Sequence, residues 1–120
     1  MRGEQYLTKP GQYALVYGKG KSWRSNLLVM KALPNDLTLS RYGLSVSKRV
    51  GKAVTRNKVK RILREILRSE SLESGWDIIF IARPLAADAS YADMEKSIDT
   101  LLSRAQLLRL PEEKIGLGVS

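Results

Sequence analysis

The 120-residue chain has no cysteine and no histidine. Their absence excludes a zinc site of the usual kind, a Cys or Ser–His nucleophilic pair and an imidazole general base. Long apolar runs are missing too. Residues 78–82 form one of the longest, far short of the roughly 20 residues a membrane-spanning helix needs. The opening MRGEQY has no apolar stretch of the signal-peptide kind, so a cytoplasmic protein with no membrane partner is expected. Acidic residues are scarce in one place. Residues 41–68 hold a single acid, Glu65, against ten basic side chains, while the rest of the chain balances eleven against eleven.

The net charge of +9 therefore lies wholly in that segment. A solubilising surface scatters its charge, whereas a polyanion site concentrates it. With 43% apolar residues the chain can build a core, and its length suits one domain spanning residues 1–120. Flexible ends are expected over about residues 1–7 and 111–120. The remaining acids show no paired-carboxylate or metal-ligand spacing, so neither a catalytic residue nor a protein-held metal is expected. Gly20-Lys21-Ser22 imitates the end of a phosphate-binding loop, but Leu15 stands where that loop needs its first glycine.

The spacing predicts a helix over 8–18, with Pro10 in its first turn and Tyr13 and Tyr17 on one face. Strands are predicted over 27–33 and 41–48, the latter alternating Leu44 and Val46 against Gly43, Ser45 and Ser47. Thr55 is a candidate cap for a helix over 56–69 with the apolar stripe Val59, Ile62, Leu63, Ile66 and Leu67. A strand over 77–83 reads as covered on both faces. Ser90 can cap a last helix with Met94, Ile98, Leu101, Leu102 and Leu108 inward. The order is helix, two or three strands, helix, strand, helix: an α+β fold, a small two-layer sandwich.

At about 100° per residue, Asn57, Lys60, Arg61, Arg64 and Arg68 share one stripe of the central helix, with Arg56 on its flank. Like charges so close cost a few tenths of a kcal/mol per pair in an isolated helix, a penalty that phosphates would remove. The preceding loop, Ser47 to Val54 with Gly51 inside it, adds Lys48, Arg49 and Lys52 and runs into the helix N-terminus. The small, polar strand face of Gly43, Ser45 and Ser47 would leave room for single-stranded nucleotides, with Tyr13 and Tyr17 as stacking surfaces or half-buried core. A DNA-binding helix-turn-helix fits poorly, because strands flank the basic helix. Composition alone leaves open a ribosomal or rRNA-binding structural protein.

The run RYGLSVSKRVGKAVTRNKVKRILRE at 41–65 resembles the signature of the bacterial ribonuclease P protein subunit. The likeness extends to Tyr13 and Tyr17, to the DIIFIARP strand starting at Asp77 and to the last helix. It implies a subunit that binds a large catalytic RNA and assists magnesium-dependent removal of the 5′ leader from precursor tRNA. The magnesium would be held by RNA and the protein alone would be inactive; no DNA partner is implied. By motif position Arg56, Asn57, Lys60, Arg61 and Arg64 would contact the RNA subunit, together with Lys48, Arg49, Lys52, Lys58 and Arg68. Lys58 stands where the motif usually has a second Arg. Tyr13, Tyr17, Lys31 and Ser45 would line the leader cleft, Tyr replacing the frequent Phe and Lys31 an aromatic found in some members. The resemblance also implies a left-handed crossover around the motif helix, against the right-handed default.

Overall fold

The computed structural model describes residues 6–108. Helix α1 (Pro10–Lys19) is followed by strands β1 (Lys21–Arg24), β2 (Leu28–Pro34) and β3 (Arg41–Ser45). Helix α2 (Ala53–Ser69), strand β4 (Trp76–Ala82), a 3-10 turn (Pro84–Asp88) and helix α3 (Tyr91–Arg104) complete the chain. The sheet order is β1-β2-β4-β3. β2 lies antiparallel to β4 with Met30 opposite Phe80, and β3 lies parallel to β4 with Leu44 opposite Phe80. Because β3 and β4 are adjacent and parallel, α2 is the crossover between them, as parallel pairing requires.

One face of the sheet carries Leu28, Met30, Tyr42, Ile78 and Phe80 into the main core against Val59, Leu63, Ile66 and Leu67 of α2 and Met94, Ile98, Leu101 and Leu102 of α3. Fully burying such a side chain is worth about 1.5–3 kcal/mol. Four of them on α2 outweigh the few tenths per pair that its crowded cations cost. This is the expected two-layer sandwich. The other face carries a smaller cluster of Leu7, Val16 and Ile79, so α1 adds a partial third layer. β4 is buried on both faces, which its uninterrupted apolar run anticipates.

Several local expectations need correction. β1 is the third strand that the expected order left open; patterning does not place it, because Trp23 alone among its four residues turns inward. β3 stops at Ser45, and residues 47–50 form a turn in which Val50 N–H donates to Ser47 O at 3.1 Å. Lys52, not Thr55, is the N-cap of α2, which starts at Ala53. Leu108 lies beyond the end of α3, in a bridge to Leu72, while Leu107 enters the core. Ser90 caps α3 as expected, its hydroxyl accepting from Asp93 N–H at 3.1 Å. Tyr6 and Leu7, counted on sequence with the flexible end, are anchored: Leu7 is buried and its N–H donates to Tyr42 O at 2.8 Å. The rest of that end and the tail at 111–120 lie outside the described residues.

Candidate nucleic-acid interface

Helix α2 turns its apolar stripe to the sheet and leaves Asn57, Lys58, Arg61, Arg64 and Arg68 exposed, with Arg56 and Lys60 half-buried at the margins. Lys48, Arg49 and Lys52 are exposed on the loop that leads into it. Among the described residues no carboxylate forms an ion pair with Lys58, Lys60, Arg61 or Arg64. The tenth cation of the segment, Arg41, is used elsewhere: it pairs with Asp77 at 2.7 Å. What remains is a positive surface of one loop and one helix.

The four residues expected at the leader cleft lie on the opposite sheet face or on α1. Lys31, Ile79 and Gly43 form one cross-strand row, and Val29, Ile81 and Ser45 the next. Helix α1 crosses these rows. Tyr13 sits over Gly43 of β3, where an added Cβ would lie 2.6 Å from its Cζ. Val16 packs on Ile79 of β4, and Tyr17 reaches β2, where Lys31 Nζ lies 5.7 Å from its ring centroid and donates to its carbonyl at 3.3 Å. The absence of a side chain at position 43 is what lets the ring settle on the sheet. Ser45 lies one row beyond Gly43, on Tyr13's side of the sheet rather than Tyr17's.

The two tyrosines differ in availability. Tyr13 is half-buried and its hydroxyl donates to Leu7 O at 3.4 Å, whereas Tyr17 is 40% exposed. Burial, and next the neighbouring Tyr17, push the Tyr13 phenol above its ordinary value. Tyr42 behaves likewise, raised by burial and by Tyr6, with Arg64 and Arg68 acting against. Both phenols are neutral donors at physiological pH, not bases.

A cavity of about 400 Å³ joins the two surfaces. Tyr6, Leu7, Tyr13, Gly43 and Leu44 line one side, and Lys60 and Arg64 of α2 the other. Lys60 and Arg64 therefore face the Tyr13 pocket as well as the basic helix face. Tyr6 was missed on sequence. Its only signal is an aromatic just ahead of the first helix, and its role depends on the tilted contact with Tyr42, ring centroids 4.6 Å apart. A larger cleft of about 590 Å³ opens at the other edge of the sheet, but Asp88 and Asp93 offset Arg24, Lys96 and Arg104 there. That mixture does not select a polyanion. Among the described residues no group of Asp and Glu converges to hold a metal ion, and no helix is long and apolar enough to cross a membrane.

The family model Ribonuclease P matches residues 1–106. The ribonuclease P protein component of Dehalococcoides mccartyi strain CBDB1 is 49% identical over 114 residues, covering 95% of each chain. The RNase P protein of Staphylococcus aureus superposes with a TM-score of 0.78 at 32% identity, over 88% of this chain and 98% of that one. That of Thermotoga maritima gives 0.76 at 30% identity, over 82% and 96%.

Proposed function

The chain belongs to the ribonuclease P protein component family, with that family's general role in RNA binding and tRNA processing, and on that footing we propose a division of labour between its two surfaces. The loop cations Lys48, Arg49 and Lys52 and the α2 side chains Asn57, Lys58, Lys60, Arg61, Arg64 and Arg68 bind the catalytic RNA, with Arg56 at their junction. Tyr13, Tyr17, Lys31 and Ser45 hold the 5′ leader of precursor tRNA. The observation that carries this reading is the continuity of the basic helix with an aromatic-lined cavity through Lys60 and Arg64. Phosphates of a structured RNA suit the arginine-rich helix, and an unpaired strand suits a platform where bases can stack.

The chain acts in an endonuclease complex, and the hydrolysis is assigned to the RNA. Among the described residues no group of carboxylates converges on a metal position. On this reading RNA ligands would hold the magnesium ions, which would supply water activation and stabilisation of the leaving oxygen. The protein's contribution is to neutralise phosphates and orient the leader. A purely ribosomal role had only composition in its favour.

Reconstitution tests the proposal. Added to a bacterial RNase P RNA, the protein should restore 5′ processing of precursor tRNA at magnesium concentrations where the RNA alone is nearly inactive. RNA-free protein should cleave nothing. Failure to stimulate, or cleavage by the protein alone, sinks the reading.

A further inference from the structure

Arg56 is half-buried, as Lys60 is, and its Nε–H donates to the carbonyl of Gly51 at 3.2 Å. Gly51 closes the turn of the basic loop. Its φ of +152° is one that side-chain-bearing residues rarely adopt, and a Cβ there would lie 3.1 Å from Thr55. The loop around it is a built turn. Arg49 N–H donates to Ser47 Oγ at 3.3 Å and Gly51 N–H to Lys48 O at 3.2 Å, while Val50 plugs into the core. Lys48 and Arg49 take part in this turn through their backbones and Lys52 follows it, all three residues exposed.

From this geometry we infer that Arg56 is a positioning residue: it clamps Gly51 so that Lys48, Arg49 and Lys52 are held in fixed register with the α2 stripe, and it serves RNA binding through them. Without the clamp, the loop is tied to the helix by Val50 and by the backbone alone. Three cations on a wandering loop lose the entropy of ordering when they bind, whereas cations already in place do not. The chemistry of the bond is specific. In glutamine the amide nitrogen is attached to Cδ, as Nε is in arginine, so Arg56→Gln keeps a donor to the Gly51 carbonyl while removing the charge.

The inference depends on the reading above that this loop meets the RNA subunit, and the test separates the two. Affinity for a bacterial RNase P RNA is measured against salt for the wild type, Arg56→Ala, Arg56→Gln and the loop variant Lys48→Gln/Arg49→Gln/Lys52→Gln. Amide hydrogen exchange at Val50 and Gly51 is followed in the free protein. Arg56→Ala should weaken binding by roughly tenfold, the scale of a lost charge-assisted hydrogen bond, and speed exchange in the loop. Arg56→Gln should recover most of both losses. In the loop-variant background, Arg56→Ala should cost less than about twofold more, since its partners are gone.

If Arg56 instead touches a phosphate, Arg56→Ala will act undiminished in that background, lower the salt slope by about 0.7–0.9 and find no rescue in Gln. That result, or unchanged exchange in Arg56→Ala, overturns the clamp while leaving the loop's RNA role intact. If the loop variant binds as tightly as the wild type, the loop does not meet the RNA, and both fall.

Discussion

Arg41 and Asp77 face each other across the parallel strands β3 and β4, joined by a fork of two hydrogen bonds, 2.9 Å from Nε to Oδ1 and 2.7 Å from Nη2 to Oδ2. Asn35 Nδ2 donates to the same Oδ1 at 2.9 Å and so ties the β2–β3 loop to the pair. The hydrogen bond to Asp77 raises the Arg41 guanidinium further above its already high value. One residue of the basic segment thus builds the sheet that carries the others. Asp77→Ala strands a partly buried guanidinium and an amide. It should lower stability by about 2–3 kcal/mol, somewhat below the cost of breaking a fully buried pair. A urea midpoint shifted by less than about a quarter of that would show that the fork contributes little.

Gly43→Ala drives a methyl group into the Tyr13 ring, 2.6 Å from Cζ and 2.7 Å from Cε1. The ring must move, at a cost of about 1–3 kcal/mol for overpacking, and with it the wall of the cavity. Gly43→Ala/Tyr13→Ala should therefore be less damaged than the two single losses summed. Additive melting temperatures would show that the ring and the glycine do not depend on each other.

Tyr17 is exposed enough to serve as a stacking platform. Tyr17→Ala should weaken binding of leader-bearing precursor tRNA by roughly tenfold or more, the usual scale for a lost base stack. Mature tRNA should bind as before, and Tyr17→Phe should be nearly silent. Lys31→Met, which removes the cation near the ring, should have a smaller, few-fold effect on the precursor, in keeping with an exposed cation–π contact. Equal losses for precursor and mature tRNA would take both residues out of the leader site.

The Glu70 carboxyl, at the C-terminal end of α2, is pushed up to about 7 by burial and by Asp99, with Glu95 adding to the effect. The helix C-terminus is also unfavourable for a negative charge. Because the folded state holds this proton more tightly than the unfolded state, the group favours folding below its unfolded value near 4.5. That support is lost as the pH rises towards 7. Glu70→Gln should flatten this part of the stability–pH curve. It should also raise stability at pH 8 by about 1 kcal/mol, after allowing for solvent around the carboxyl. A variant whose curve still falls between pH 5 and 7 would assign the effect to another group.

Local pattern made much of this legible. The 3.6-residue stripe of α2, its cationic outer face and the unbroken apolar run of β4 are properties of adjacent residues, and they survive folding unchanged. Charge concentration is local as well, so the positive surface could be read before any contact was known. The third strand left open in the order, β1, could not be placed because a four-residue edge strand needs only one inward side chain. The start of α2 was misplaced because the turn at Gly51, not the hydroxyl of Thr55, decides it.

What only the tertiary structure decided is which side chains meet. Tyr13 finds Gly43, and through one cavity Lys60 and Arg64, because β3 pairs with β4 rather than with β2, its neighbour in sequence. Tyr17 is brought to Lys31 by the path of α1 across the sheet, and Arg41 is withdrawn from the basic face by a carboxylate 36 residues away. Strand pairing is set by the burial of two apolar faces at once. Its energy comes from residues far apart in the chain, so no window of sequence contains it.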